Sequence, residues 1–369
     1  MKLVILKTNL LEGLFSVERS IGVNTNLPIL KNVLLTADNN KISIITTNLE
    51  LAVMHIIQGK IIENGKSTIP LSLFNSVIKN LNSERVTLET KDNNLIIITD
   101  NYEAVIQGGN EKDFPIIPSI SSNKNSLKIS SENFIDSIQS VIIATQYSDI
   151  RPEISGVFVS YNNDKLVFVG TDSFRLSEKT LAPSLVNSDF DEISFIIPLK
   201  TADELLRVFN KSDGEITILI DQNQVLFSTN VKSITSRVVD GRFPEYQPII
   251  PKSVENEINI NRQELLNAIK LTSSFSGRTN DVTITIGDNK KFLEVSSREG
   301  SLGSGLYKVP CKVKGDALSI VFNWKYIYDG LKIYNSDDVV IGINTPDRPV
   351  LIKSTTENNI LYVVMPIRK

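Results

Sequence analysis

Apolar residues recur three and four positions apart in three long segments of the chain, which is the spacing of one face of an α-helix. These segments begin at Asn9, Ser131 and Asn261. A shorter segment with the same spacing follows each of them, and the shorter segments begin at Pro70, Pro198 and Asn323. After each shorter segment, apolar and polar residues alternate around a polar turn, which predicts a β-hairpin. The chain therefore repeats one order of elements three times.

The repeating unit is far longer than the unit of a solenoid protein. It predicts an α+β protein made of three copies of one domain, each with two helices and small antiparallel sheets. The segments EKDFPIIP and DGRFPEYQPIIP close the first two copies in the same way. The predicted domains are residues 1–118, 126–251 and 252–369.

Composition narrows the chemistry that the chain can perform. The formal net charge of −3 gives no sign of general affinity for nucleic acid, although 39 Lys and Arg residues could form a local basic surface. Cys311 is the only cysteine and His55 the only histidine, too few for a zinc site or a disulfide. His55 lies in an apolar segment typical of a strand, so we predict no metal and no cofactor. The chain has no pattern of a signal peptide or a membrane span, and we expect a cytoplasmic protein.

Five short motifs follow one another along the chain. They are LPILKNVLL (27–35), RPEISGV (151–157), GTDSFRLS (170–177), VDGRFPEY (239–246) and YVVMPIR (362–368). With the threefold repeat, they make the whole chain resemble the beta subunit of bacterial DNA polymerase III, the family of DNA sliding clamps. The chain has no GxxxxGK[ST] motif for binding a nucleotide phosphate.

The resemblance implies a head-to-tail homodimer, in which six domains form a ring with helices lining the hole and sheets outside. Such a ring encircles duplex DNA without reading its sequence. It acts as a processivity factor without catalytic activity, tethering the polymerase III alpha subunit and other proteins that carry a clamp-binding motif. A separate clamp loader opens the ring.

The resemblance also implies a peptide-binding pocket between the second and third domains. An apolar floor would hold Leu or Phe side chains of a partner, with Arg175 and Arg368 at the rim. The predicted pocket residues are Ile154, Thr171, Ser173, Phe174, Arg175, Leu176, Pro244, Ile249, Pro349, Val363, Val364, Met365, Pro366, Ile367 and Arg368. The alternative is that the terminal strand belongs to a core and that Arg175 forms a surface ion pair. Asp172 is interpreted as an acceptor that stabilises its loop.

Positions that differ from the family pattern are Asn24, Pro152, Glu153, Phe174, Pro248 and Lys369. They affect the rim of the hole and the choice of partner.

Basic residues on or beside the predicted helices are candidates for facing DNA: Lys79, Arg151, Lys200, Arg207, Lys270 and Lys332. The alternative for each is an ordinary solvated helix face. For the dimer interface we expect a strand through Ile106 to pair with an edge near Ser274 and Phe275. Burial of these residues inside one domain is the alternative.

Two other functions remain open at this stage. Asp172, Ser173 and Arg175 could form a small catalytic cluster, although the chain offers neither a usable histidine nor a set of metal ligands. The chain could also be a clamp-like regulatory or structural paralogue that does not load on DNA.

Overall fold

The computed structural model describes residues 1–22, 26–118, 120, 125–221, 223–287 and 290–368. Asn24, Gln222 in one predicted hairpin turn, and Lys369 lie outside the described residues. The described chain divides into two compact units. Unit 1 is Met1–Ile135, Val186–Phe190 and Asp203–Val238, and unit 2 is Asp136–Leu185, Asp191–Ala202 and Val239–Lys369. The second repeat contributes to both units.

The predicted helices are confirmed, two for each repeat. Their bounds are α1 Lys7–Val17, α2 Leu71–Asn80, α3 Ser131–Ile142, α4 Leu199–Val208, α5 Arg262–Thr272 and α6 Trp324–Lys332. Asn261 caps α5 by accepting a hydrogen bond from the backbone of Glu264 at 3.0 Å. The helix α1 begins before the predicted Asn9, because the chain enters it directly from a strand. No helix in the described ranges is long and apolar enough to cross a membrane.

The strands follow the same threefold order. The first repeat has β1 Lys2–Leu6, β2 Asn32–Asp38, β3 Lys41–Thr47, β4 Leu51–Ile57, β5 Gly59–Glu63, β6 Gly65–Pro70, β7 Arg85–Lys91, β8 Asn94–Ile98 and β9 Glu103–Ile106. The second has β10 Ser126–Ser130, β11 Gly156–Asn162, β12 Lys165–Thr171, β13 Arg175–Leu181, β14 Val186–Ser188, β15 Glu192–Pro198, β16 Glu215–Asp221, β17 Gln224–Ser228 and β18 Lys232–Arg237. The third has β19 Asn256–Asn261, β20 Asp281–Ile286, β21 Phe292–Glu299, β22 Gly303–Lys314, β23 Leu318–Asn323, β24 Asp338–Ile343, β25 Val350–Ser354 and β26 Ile360–Val364.

The described residues of unit 1 form two antiparallel sheets. One has the order β5-β1-β7-β8-β9, and the other has the order β14-β10-β16-β17-β18-β4-β3-β2-β6. The second sheet crosses from one repeat to the next where β18 pairs with β4, with Lys232 opposite His55 and Ser236 opposite Leu51. We call this pairing the first junction.

Unit 2 is built around a sheet with the order β15-β11-β12-β13-β26-β25-β24-β19-β22-β21-β20-β23. Here β13 pairs with β26, with Arg175 opposite Val364 and Lys179 opposite Ile360. We call this pairing the second junction. The third repeat packs α5 and α6 on its sheets around a buried core of aliphatic and aromatic side chains that includes Leu265, Ile327 and Tyr362.

Candidate functional site

The loop 171–175 connects β12 to β13 at the second junction, and its own side chains fix its backbone. Thr171 Oγ1 donates to the carbonyl of Arg175 at 2.7 Å. Asp172 Oδ1 accepts from the backbone N–H groups of Phe174 and Arg175 at 2.9 and 3.0 Å. Ser173 adopts the left-handed region, with φ 78°. The predicted role of Asp172 as a loop-stabilising acceptor is confirmed.

Arg175 is held inside the protein at this loop. Its Nε donates to Asp172 Oδ2 at 2.9 Å and its Nη1 to Asp329 Oδ2 at 2.8 Å, and the side chain is only 11% exposed. The guanidinium also lies 4.6 Å from the ring centre of Tyr326, a cation–π contact. These contacts direct the guanidinium toward α6, so the predicted rim role of Arg175 is not supported. Arg175 does form an ion pair, as in the alternative, but the pair with Asp172 is buried and not at the surface. Its contacts position the loop and Tyr326.

A cavity of about 470 Å³ opens beside the loop. Its lining includes six of the predicted pocket residues: Ser173, Phe174, Met365, Pro366, Ile367 and Arg368. Phe174 and Tyr326 form one wall, with ring centres 6.4 Å apart and planes 21° from parallel. Burial raises the pKa of Tyr326, so this wall remains uncharged at neutral pH.

Asn323 and Tyr326 also line the cavity, and the sequence analysis missed both. They lie at the start of α6, where Asn323 caps the helix through the backbone N–H of Lys325. The helix packs closely on β26 because Gly330 faces Tyr362: a Cβ at Gly330 would lie 2.4 Å from that ring. An asparagine before a helical segment indicates a cap, so the sequence could have singled out Asn323. No sequence pattern indicates that Asn323 lies close to loop 171–175.

The other predicted pocket residues do not line this cavity. Ile154, Leu176 and Val363 belong to a buried cluster that also contains Phe243 and Tyr246. The remaining members are placed as follows: Thr171 is buried, Val364 is buried in the core of the third repeat, Pro244 borders a separate cavity, Ile249 is exposed and Pro349 is half-buried.

The candidate DNA-facing residues divide into two groups. Lys79, Lys200, Lys270 and Lys332 are exposed at the helices, although Lys79 lies 3.7 Å from Glu18. Arg207 instead donates to Glu204 and to the carbonyls of Phe15 and Ser16 in the last turn of α1, and its side chain is 10% exposed. These hydrogen bonds hold the Arg207 guanidinium between α4 and α1. Its geometry therefore does not support a DNA-facing role.

Arg151 is exposed, but its guanidinium is engaged locally. It bonds Glu153 at 3.1 Å and Ser173 Oγ at 2.9 Å. Arg151 therefore lies against the loop that borders the cavity.

The residues expected at the dimer interface lie on or beside two strands, β9 and β22. Ile106 is 2% exposed and belongs to the core of its own domain, which was the alternative considered. Ser274 and Phe275 form a short turn after α5, and Phe275 packs under Gly305 of β22. The strand edge near Ser274 and Phe275 is β22, so the expected pairing with an edge in this region stays a prediction.

The first junction repeats the backbone of loop 171–175 in the loop 47–51. Asn48 Oδ1 accepts from the backbone N–H groups of Glu50 and Leu51 at 3.0 and 2.9 Å, and Leu49 has φ 75°. The neighbouring strand end attaches in the same way, because the N–H of Arg237 donates to Glu50, as that of Met365 donates to Phe174. A smaller cavity of about 260 Å³ lies beside loop 47–51.

Comparisons with known proteins agree over the whole chain. Family models of the DNA polymerase III beta subunit match its N-terminal domain at residues 1–118, its central domain at 128–245 and its C-terminal domain at 247–368. The beta sliding clamp of Synechococcus elongatus is 28% identical over 374 residues, covering 100% of this chain and 99% of that protein. The beta sliding clamp of Bacillus subtilis is 24% identical and covered completely.

Solved structures show the same architecture. The DNA polymerase III subunit beta of Pseudomonas aeruginosa matches with a TM-score of 0.93 at 24% identity, covering 100% of both chains. The sliding clamp of Bacillus subtilis matches with a TM-score of 0.93 at 24% identity, covering 100% of this chain and 99% of that one. Three α+β domains joined through their sheets thus define a clamp protein. The chain belongs to the DNA polymerase III beta subunit family, the sliding clamps. The predicted family, fold class and sliding-clamp function are confirmed.

Proposed function

We propose that two copies of this chain close head to tail into a ring around duplex DNA and slide along it. The ring has no reaction of its own and holds the polymerase III alpha subunit and other replication and repair proteins at the DNA. A clamp loader opens it, and it works in the cytoplasm.

The observation that supports the ring is a pair of strand edges without partners among the described strands, one in the first repeat and one in the third. They correspond to the strands that pair at the first and second junctions. The strand β18 follows a hairpin and pairs with β4, and β26 follows a hairpin and pairs with β13. The corresponding strand of the first repeat is β9, which pairs only with β8 in the described part of the chain. The strand after β21 in the third repeat, β22, corresponds to β4 and β13. Its residues 303–309 pair with β21 alone among the described strands.

These two edges carry exposed apolar side chains. Val105 and Leu306 are each 59% exposed, and Tyr102 is 43% exposed. An unpaired apolar edge invites another strand, so natural proteins cover such edges or pair them. Pairing β9 of one copy with β22 of the next satisfies both edges. Because each copy has one of each, two copies close a head-to-tail ring.

The charges suit loose attachment to DNA. Lys200, Lys270 and Lys332 are exposed helix residues that can contact phosphates. Phosphate contacts position a protein without specifying sequence, and each contact lowers log K by about 0.9 per log unit of salt. The formal charge of −3 keeps the overall attraction weak, which favours sliding.

The cavity beside loop 171–175 suits a short partner peptide. Phe174 and Tyr326 offer an aromatic wall, and Met365 adapts its shape to different apolar side chains. Arg368 is exposed at the rim and can pair with an acidic group of the peptide. We therefore propose that partners bind here through an extended segment that presents a Leu or Phe side chain.

Multi-angle light scattering tests the ring. The wild-type chain should have the mass of a dimer, whereas Val105→Asp and Leu306→Asp should shift the mass toward the 41.1 kDa monomer because each places a charge on a pairing edge. The matched control is Ile62→Asp, since Ile62 is 54% exposed on β5, the opposite edge of the sheet that contains β9. Ile62→Asp should remain dimeric. Dimeric mass for both edge variants would contradict the proposed pairing.

A further inference from the structure

One face of α6 combines aromatic rings with lysines. Trp324, Tyr328 and Lys332 are four residues apart and therefore lie along one stripe of the helix, with Lys325 beside them. Both lysines are exposed and both rings are half-buried. We call these four residues the aromatic–lysine face.

The rings and lysines of this face contact one another. Lys332 Nζ lies 4.3 Å from the ring centre of Tyr328, and Lys325 Nζ lies 5.8 Å from that of Trp324. The two rings are arranged edge to face, with centres 6.1 Å apart. Within the described ranges, neither lysine forms an ion pair with a carboxylate. Both charges are therefore held at ring surfaces and are available to an anion.

The helix α6 also differs in charge from its counterparts. Its only acid is Asp329, whose carboxylate is held by Arg175 at 2.8 Å. By contrast, Lys79 of the corresponding helix α2 lies 3.7 Å from Glu18, and the basic residues of the corresponding helix α4 share that helix with Asp203 and Glu204. An uncompensated pair of lysines beside two rings favours a ligand with phosphates and flat bases.

We propose that the aromatic–lysine face binds single-stranded nucleic acid. Phosphates pair with Lys325 and Lys332, while an unpaired base takes the place of a lysine ammonium on the ring of Trp324 or Tyr328. Nonspecific single-strand sites combine positive charge with stacking rings in this way. A duplex keeps its bases stacked inside and offers the face only phosphates. The inference rests on the proposed function, because it requires α6 to come near DNA.

The single tryptophan of the chain provides a direct measurement, because Trp324 is the only source of tryptophan fluorescence. Titrating the full chain with a 25-residue oligo-dT should quench this fluorescence in a saturable manner, because a base stacks on the ring. A 25-base-pair duplex at the same nucleotide concentration should leave it nearly unchanged. Absence of quenching by oligo-dT, or equal quenching by the duplex, would overturn the proposal.

Variants separate stacking from charge. By anisotropy of labelled oligo-dT, Trp324→Leu should weaken single-strand binding roughly five- to tenfold and leave duplex binding unchanged. Tyr328→Leu retains the reporter and should give a smaller loss. Lys332→Gln should lower the salt slope for oligo-dT by about 0.7. The control Lys353→Gln changes an exposed lysine on β25, away from the helices, and should preserve the quenching of Trp324. Unchanged oligo-dT affinity in both ring variants would contradict the stacking role.

The same variants distinguish this proposal from the ring itself. Encirclement needs the strand edges and not the rings on α6, so Trp324→Leu should still be retained on circular DNA after loading. Normal retention together with unquenched wild-type fluorescence would overturn only the single-strand site.

Discussion

The loops 47–51 and 171–175 have the same backbone and different surroundings. In each, a threonine and an Asn or Asp bond the following backbone, and the third residue is left-handed, at φ 75° in Leu49 and 78° in Ser173. In each, the end of the neighbouring strand donates to the fourth residue. This backbone therefore belongs to the sheet junction, and any docking function depends on the side chains placed on it.

Those side chains differ at matching positions. Phe174 and Met365 border the cavity of about 470 Å³ at the second junction, whereas Glu50 and Arg237 border the cavity of about 260 Å³ at the first. Apolar residues such as Ile116 also line the first cavity, but Glu50 and Arg237 there would have to lose water to receive an apolar side chain. Phe174 and Met365 at the matching positions of the second cavity offer apolar surface. The two junctions therefore share a loop backbone and differ in the side chains that border their cavities.

The largest expected effect concerns Arg175, whose counterpart at the first junction is Leu51. Arg175→Leu should lower the free energy of unfolding by about 3 kcal/mol, because Asp172, whose side chain is 2% exposed, loses its cation. Urea unfolding at fixed protein concentration measures this loss.

The first junction also suggests the compensating change, because Asn48 occupies the position of Asp172. The double variant Asp172→Asn with Arg175→Leu removes the buried charge and keeps the acceptor of the loop, so it should regain much of the stability. A double variant as unstable as the sum of both single variants would show that the loops are not interchangeable.

A smaller effect is expected from exchanging the pocket side chains. The double variant Phe174→Glu with Met365→Arg gives the second junction the side chains of the first. It should weaken the binding of a labelled Gln-Leu-x-Leu-Phe peptide at least roughly tenfold, because apolar contacts worth about 1.4 kcal/mol or more are lost. Fluorescence anisotropy of the peptide measures the change. Glu50→Gln is the control at the other junction and should bind as the wild type does. Equal binding by the exchanged variant would remove Phe174 and Met365 from the peptide site.

The smallest expected effect distinguishes the junctions by pH. His55 of the first junction occupies the position of Lys179, and its Nδ1 lies 2.8 Å from Ser16 Oγ. Burial lowers the pKa of His55 below 6.5; nearby Glu12 and Asp213 oppose this shift, and Lys232 adds to it. As the pH falls below about 6.5, the unfolded chain takes up a proton that the folded chain resists, so stability decreases by at most about 1.4 kcal/mol per pH unit.

This dependence can be isolated because the chain has one histidine. The difference in unfolding free energy between the wild type and His55→Gln should change between pH 7.5 and 5.5, with the wild type losing more on acidification. The difference in unfolding free energy between the wild type and Lys179→Gln should stay constant between pH 7.5 and 5.5. If the difference between the wild type and His55→Gln does not change with pH, the buried ring does not titrate as described.

Sequence patterns predicted the elements of this fold better than the contacts between them. Helix period and strand alternation depend on neighbouring residues, and for this reason the two helices and the hairpin of each repeat were found. The partner of Arg175, Asp329, lies 154 positions away, and no local pattern indicates it. The setting of Ile106 was open for a related reason: an apolar residue on an edge strand can face its own core or a partner, and its 2% exposure appears only in the packed sheet.

The central claim is that the chain closes around DNA, and retention on a circle tests it most directly. The protein is loaded onto a nicked circular plasmid with a clamp loader and ATP, and DNA-bound protein is separated by gel filtration at moderate salt. We expect wild-type protein to remain with the circle and to be lost after one cut linearises it, whereas Val105→Asp should not be retained. Equal retention on circular and linear DNA would contradict the account.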